Sequence, residues 1–243
     1  MIKKITLISI LIILVAYILF FVCFTEKKGE NEICNNLDVV VVDTLKSHFI
    51  GKKEIENILK RSGLNVVGKK MNEINTNSIE KKLEENKLIK KAECYKTIGG
   101  SVKIEIYQKV PIIRILSTSG SYYVDNEGGI MPISDNFTAF LPIATGYVDK
   151  EFATTNLYEF ALFLQNNKYW NAHLSQIHVR SNKDVELIPR VGNFRIVLGP
   201  LENYKENLEK LKLFYDKGLN TGGWNRYSVI NLKYKDQVVC TKR

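Results

Sequence analysis

The segment of this chain with the strongest claim to chemistry is Gly63 to Lys70, whose glycine and lysine spacing is that of a phosphate-binding loop. In such a loop backbone N–H groups cradle phosphate oxygens, the lysine reaches the outer phosphates, and a final Ser or Thr hydroxyl holds magnesium. Here Lys70 stands where the hydroxyl should be, and the segment follows a helix-like stretch rather than a strand. Nucleotide chemistry is not expected from it. The histidines are His48, His173 and His178. The last two are five residues apart, so they do not share a helix face as i,i+4 metal ligands do, and no Cys or acidic cluster completes a set. There is no Gly-x-Ser-x-Gly elbow, no cysteine lies in a nucleophile signature, and no carboxylate pair is singled out. The sequence therefore predicts no catalytic residue, no cofactor and no metal.

Composition narrows the remaining classes. The 243 residues are 45% apolar and 25% charged, enough for one or two folded domains. A net charge of +9 invites nucleic acid, but the lysines are interleaved with glutamates, as in Glu80-Lys81-Lys82 and Lys205-Glu206. Glu80–Glu84 and Lys81–Glu85 at i,i+4 read as solvated helix faces, and no basic block interleaved with aromatics appears.

The N-terminus sets the compartment. Ile5 to Phe24 is an uncharged run of twenty residues. As a helix it would be ~30 Å long, the thickness of a bilayer's hydrocarbon core. It is longer than a signal-peptide core and closes on Phe20 to Phe24 rather than on small residues. The expectation is a single-pass anchor, 5–24, with residues 1–4 as a cytoplasmic tail and the bulk of the chain outside. Cys34, Cys94 and Cys240 then lie in a compartment that permits disulfides, with one necessarily left over in a monomer. Spacing leaves the pairing open; Cys34–Cys94 is favoured because both flank strands of one small domain.

Beyond a polar linker, 25–36, the pattern is strand (Asp38 to Asp43), helix (Gly51 to Ser62), helix (Asn77 to Asn86, with Asn77 as cap and Glu80 in the capping-box position), then strands over Leu88 to Lys96 and Ser101 to Gln108. This predicts a compact unit over 37–110. From Pro111 strands dominate: Ile112 to Leu116, Tyr122 to Asp125, Leu141 to Gly146, Ile177 to Val179, Val185 to Pro189, Phe194 to Leu198, Ser228 to Tyr234 and Gln237 to Thr241. Two helices interrupt them, Asn156 to Asn166 and Tyr204 to Lys217, the second stopped by Gly218. The predicted class is α+β, with a β-rich mixed-sheet domain over 111–243. Its last strands run almost to the C-terminus, where an edge strand offers unpaired backbone groups to a partner. Lys233 and Lys235 fit gatekeepers against aggregation, and Trp224, Tyr227 and Tyr234 fit either core fillers or interface anchors.

The assembled pattern resembles the bacterial FtsQ/DivIB cell-division family. The strand-helix-helix-strand-strand unit is similar to that family's POTRA domain, and Gln108-Lys109-Val110-Pro111 to its closing junction. Tyr123-Val124-Asp125-Asn126-Glu127-Gly128, Leu141-Pro142 with Gly146, Leu198-Gly199 and Leu232-Lys233-Tyr234 continue the likeness in order. The resemblance implies a non-enzymatic divisome scaffold of the cytoplasmic (inner) membrane, acting at the septum. It would bind FtsB, within the FtsQ–FtsB–FtsL complex, to regulate septal peptidoglycan synthesis. It places partner binding at Lys233, Tyr234, Asp236, Val238 and Val239: Lys233 as positive charge, Tyr234 as aromatic anchor, and Val238–Val239 for strand pairing. The cytoplasmic tail is shorter than in many relatives. The competing classes are a membrane-anchored enzyme acting on peptidoglycan and a POTRA-type envelope assembly factor.

Overall fold

The computed structural model describes residues 10–21, 32–42, 48–118, 120–220 and 223–243. Residues 10–21 form a helix, α1, with its apolar side chains exposed. Both ends of the expected 5–24 span, the tail 1–4 and most of the linker lie outside the described residues. Among those described, no helix is long and apolar enough to cross a membrane. The chain divides into two compact units, Met1–Gln108 and Lys109–Arg243.

The first unit packs two helices, α2 (Lys52–Arg61) and α3 (Thr76–Glu84), against a sheet of β1 (Asn36–Val42), β2 (Ile89–Thr97) and β3 (Ser101–Gln108). The order across the sheet is β1-β3-β2, with β1 parallel and β2 antiparallel to β3. The alternation read from β3 holds physically: Val102, Ile104 and Ile106 are fully buried under Ile55, Leu59, Ile79 and Leu83 of the helices. The cap of α3 is Asn75, whose Oδ1 accepts the Ser78 N–H at 3.1 Å, so the helix starts earlier than Asn77.

Glu80 is therefore not a capping-box residue, and the pair Glu80–Glu84 is not a solvated face. Glu80 Oε1 accepts the Cys94 N–H at 2.7 Å, and Glu84 Oε1 accepts the Ala92 N–H at 3.1 Å. Four residues of helix rise ~6 Å and two residues of strand ~6.8 Å, so two carboxylates one turn apart match two outward N–H groups of β2. The β2 edge of this sheet is capped by its own helix.

The expected Cys34–Cys94 disulfide is not made; both are buried free thiols. Cys34 leads into β1 and Cys94 lies on β2, on opposite sides of β3. Two strand spacings amount to ~9.6 Å, beyond disulfide reach. Burial, and then the Glu80 carboxylate, push the Cys94 thiol up to about 12, which leaves it protonated and unreactive at neutral pH. In the Gly63–Lys70 segment the Gly68 N–H donates to the Cys34 carbonyl and the Cys34 N–H to the Lys69 carbonyl, both at 2.8 Å. Its backbone thus pins the start of the domain.

The second unit is one mixed sheet of nine strands: β4 (Pro111–Ser117), β5 (Gly120–Asp125), β6 (Ile130–Met131), β7 (Ile143–Gly146), β8 (Leu174–Val179), β9 (Val185–Pro189), β10 (Arg195–Gly199), β11 (Tyr227–Asn231) and β12 (Val239–Lys242), ordered β12-β11-β10-β9-β8-β7-β4-β5-β6. Among the described residues four α-helices, where two were expected, share its core: α4 (Lys150–Thr154), α5 (Asn156–Asn166), α6 (Lys168–His173) and α7 (Tyr204–Phe214). The short α4 and α6 hold too few residues to show a period, but each has a capping side chain, Asp149 and Asn167. Gly218 does not stop α7; the chain continues as a π-turn, Tyr215–Leu219, with Gly218 making room for the Phe214 ring.

The motifs of the sequence meet here. Lys109 Nζ lies 2.9 Å from Asp125 Oδ2, and Asp125 Oδ1 accepts the N–H groups of Glu127 (2.9 Å) and Gly129 (2.7 Å). Gly146 has φ +90°, and a Cβ there would lie 2.2 Å from the Val179 carbonyl oxygen, so only glycine fits.

Replacing both Glu80 and Glu84 by Ala leaves two strand N–H groups without their charged acceptors and opens the β2 edge. The expected result is a loss of about 1–3 kcal/mol in urea unfolding and concentration-dependent self-association in sedimentation velocity. A double variant that stays monomeric with wild-type stability would refute the capping role.

Candidate functional site

The sheet's C-terminal end is built by a β-α-β crossover. β10 leads through a 3-10 turn (Leu201–Asn203) into α7, and the chain returns as β11 parallel to β10. Between them the ladder of β10 and β9 slips at Val197/Gly199, and Gly199 takes φ +86°. The bulge exposes a carbonyl that α7 satisfies: Asn207 Nδ2 donates to the Leu198 oxygen at 3.0 Å.

Strand β11 ends earlier than the sequence pattern implies. The Leu232 N–H bonds to the Val197 carbonyl (2.9 Å), the last rung of the parallel ladder to β10, and Asn231 Oδ1 accepts the Lys233 N–H (3.0 Å). That side-chain bond takes the N–H that a longer strand would turn to β12, and Lys233, Tyr234 and Asp236 fall in a turn, with Asp236 at φ +57°. Lys210 of α7 fastens that turn by donating to the carbonyls of Leu232 (3.0 Å) and Tyr234 (2.9 Å).

The five expected residues separate into distinct positions. Lys233 lays its stem where a Cβ on Gly199 would come within 2.9 Å of its Cγ, and its ammonium meets Asp184 Oδ2 at 2.6 Å. Its charge is matched within the fold. The Lys233 hydrogen bond is the first cause holding the Asp184 carboxyl below the usual carboxylate range. Tyr234 stands 50% exposed, and Asp236 is exposed at the turn. Val238 precedes the strand and packs on the core, whereas Val239 opens β12 with 43% of its surface exposed. The other two aromatics are core: Trp224 packs on Tyr215 (centroids 4.9 Å) and Tyr227 on Phe214 (6.0 Å).

β12 pairs with β11 alone and forms the margin of the sheet. The Arg243 N–H donates to the Arg226 carbonyl at 3.2 Å. By alternation Thr241 and Val239 also turn their backbone groups to β11, and Cys240 and Lys242 turn theirs outward. The outward backbone groups of β12 are thus those of Cys240 and Lys242, whereas Val239 turns its own to β11. On the helix side lies a groove of about 490 Å³, lined by Leu213, Phe214 and Val238 and flanked by Lys210, Lys217, Glu206 and Asp236. Among the described residues no group of His, Cys, Asp and Glu is arranged to hold a metal. His173 stacks on Tyr169 at 4.0 Å, and His178 Nδ1 meets Thr145 Oγ1 at 3.0 Å.

A family model described as FtsQ/DivIB, C-terminal related, matches residues 110–241, and one described as a POTRA-like domain matches residues 32–107. Among solved structures, the chain is similar to the major extracytoplasmic domain of the trans isomer of the bacterial cell-division protein DivIB from Geobacillus stearothermophilus. The identity is 15%, over 42% of this chain and 87% of that one, with a TM-score of 0.30. No curated protein matches.

Asp184 is nearly buried, so its ion pair with Lys233 contributes stability in a pH-dependent way. A carboxyl lowered in the fold contributes fully above its unfolded value of about 3.9 and loses that contribution as pH falls through the lowered value. Lys233→Met keeps the stem over Gly199 and removes the ammonium. The expected cost is about 1 kcal/mol near neutral pH, discounted for the exposed lysine, shrinking toward zero in acid. Urea unfolding at both pH values measures it; an equal offset at each would sink the ion-pair account.

Proposed function

The chain belongs to the FtsQ/DivIB family of cell-division proteins, and on that premise we propose that it is a non-enzymatic scaffold, tethered to the cytoplasmic membrane by 5–24 with its N-terminus inside. It binds FtsB, within a complex with FtsL, through the β12 margin at the division septum, and so helps regulate septal peptidoglycan synthesis. The observation that carries the reading is the state of that margin. It is the last strand of an open sheet, the segment leading into it lines an apolar groove, and its surroundings are rich in Lys and Arg. These features suit an extended acidic segment that adds as a tenth strand.

Each expected contact residue has a role in this arrangement. Tyr234 is the exposed anchor beside the turn, and Val238 lines the groove that takes partner side chains. Val239 offers its side chain on the opposite face of the sheet, in register with Asn231 and Val197. Asp236 sits at the groove's rim, and Lys233 contributes mainly by holding the turn through Asp184.

Two substitutions test the edge. Tyr234→Ala removes an anchor that the fold does not use, and should weaken FtsB binding by ~2 kcal/mol or more with an unchanged melting temperature. Cys240→Pro deletes an outward N–H that β11 does not need, and should abolish binding at small cost to folding. Wild-type affinity in both, measured by calorimetry, would exclude β12 as the partner site. Depletion in the native host checks the wider reading: filamentous cells are expected, and lysis without filamentation would remove the division role.

A further inference from the structure

The first unit carries a second surface, at the end where the chain enters it. Because β1 and β3 are parallel, Asn36 pairs with Ser101, so the β2–β3 hairpin tip lies at the start of β1. The Asn35 N–H bonds to the Gly100 carbonyl at 2.8 Å, and Ile33 bridges Lys70. Three exposed apolar side chains therefore surround one short stretch of backbone: Ile33 (54%), Val67 (46%) and Ile98, which stands completely clear of the protein. Ile98 occupies a hairpin tip before Gly99-Gly100, a position where turns take Gly, Asn or Asp and packing asks nothing of an isoleucine. Lys69, Lys70 and Lys96 are exposed around them, with Glu32 and Glu73 as the acids at this end.

We propose that this tip seats on an anionic lipid bilayer, with Ile33, Val67 and Ile98 entering the headgroup boundary and Lys69, Lys70 and Lys96 meeting lipid phosphates. The inference rests on the anchor reading of 5–24. Seven residues lie between Phe24 and Glu32, a reach of at most about 28 Å. The tether thus keeps this end of the unit within reach of the surface the anchor occupies. Side chains of this size need enter only ~5–10 Å. Seating the tip turns a loosely tethered domain into one with a set orientation to the membrane.

The test uses the full-length chain in vesicles of phosphatidylcholine with or without phosphatidylglycerol. Tryptophan is placed by Ile98→Trp, and its emission is taken as the difference from the parent, which holds Trp170 and Trp224. With phosphatidylglycerol present, a blue shift and loss of most emission to brominated lipids are expected, both reversed by Lys69→Glu, Lys70→Glu and Lys96→Glu together. Water-like, unquenched emission from a chain that resists carbonate extraction overturns the seating and leaves the anchor standing. A blue shift without quenching overturns it in favour of a protein covering the tip. Extraction by carbonate removes the anchor reading and this inference together.

Discussion

An open sheet must do something with the backbone groups along its margins, and in this chain that requirement is met differently at each margin. In the first unit the outward N–H groups of Ala92 and Cys94 are taken by Glu84 and Glu80. In the second, β6 shrinks to two residues, leaving little to pair with. Among the described residues β12 and β1 each pair with one strand only and so keep an outward margin. Capping by carboxylates closes the β2 margin to strand addition.

The opening is useful because it is held still. Lys210 spans two turn carbonyls, Asn207 meets the bulge, and Lys233 ties the turn to Asp184, 49 residues earlier in the chain. Lys210 joins the turn to the crossover helix, Lys233 joins it to the loop before β9, and Asn207 joins that helix to the bulged strand. A margin held in this way loses less freedom than a loose one would if a strand docked on it.

Much of this was legible in the sequence, and the misses have physical causes. Alternation in Val102, Ile104 and Ile106 and the i,i+4 rows of α5 and α7 give the elements, because burial on one face imposes those periods. Glu80 and Glu84 misled because like charges one turn apart look the same whether they face water or a strand's N–H groups. The run from Ser228 to Tyr234 alternates well enough to suggest one strand, but its end is set by the Asn231 side chain and by Lys210, which lies in another element. Asp236 in a left-handed conformation was the available local signal of the turn. The pairing of Cys34 with Cys94 failed for a topological reason: the hairpin places β3 between β2 and β1, and no spacing rule carries strand order.

The short antiparallel ladder between β11 and β12 also determines how this end of the protein bears tension. Four residue pairs hold β12, and the bulge between Tyr227 and Val229 interrupts the series near its far end. A pull along the strand axis loads these bonds together, in shear. A pull at right angles opens them one after another, like a zip. A ligand strand lying alongside β12 transmits its drag along the axis, in the direction the ladder resists best. An attachment at the turn would peel the margin away. The ladder is therefore stronger against traction along the strand than against peeling from the turn.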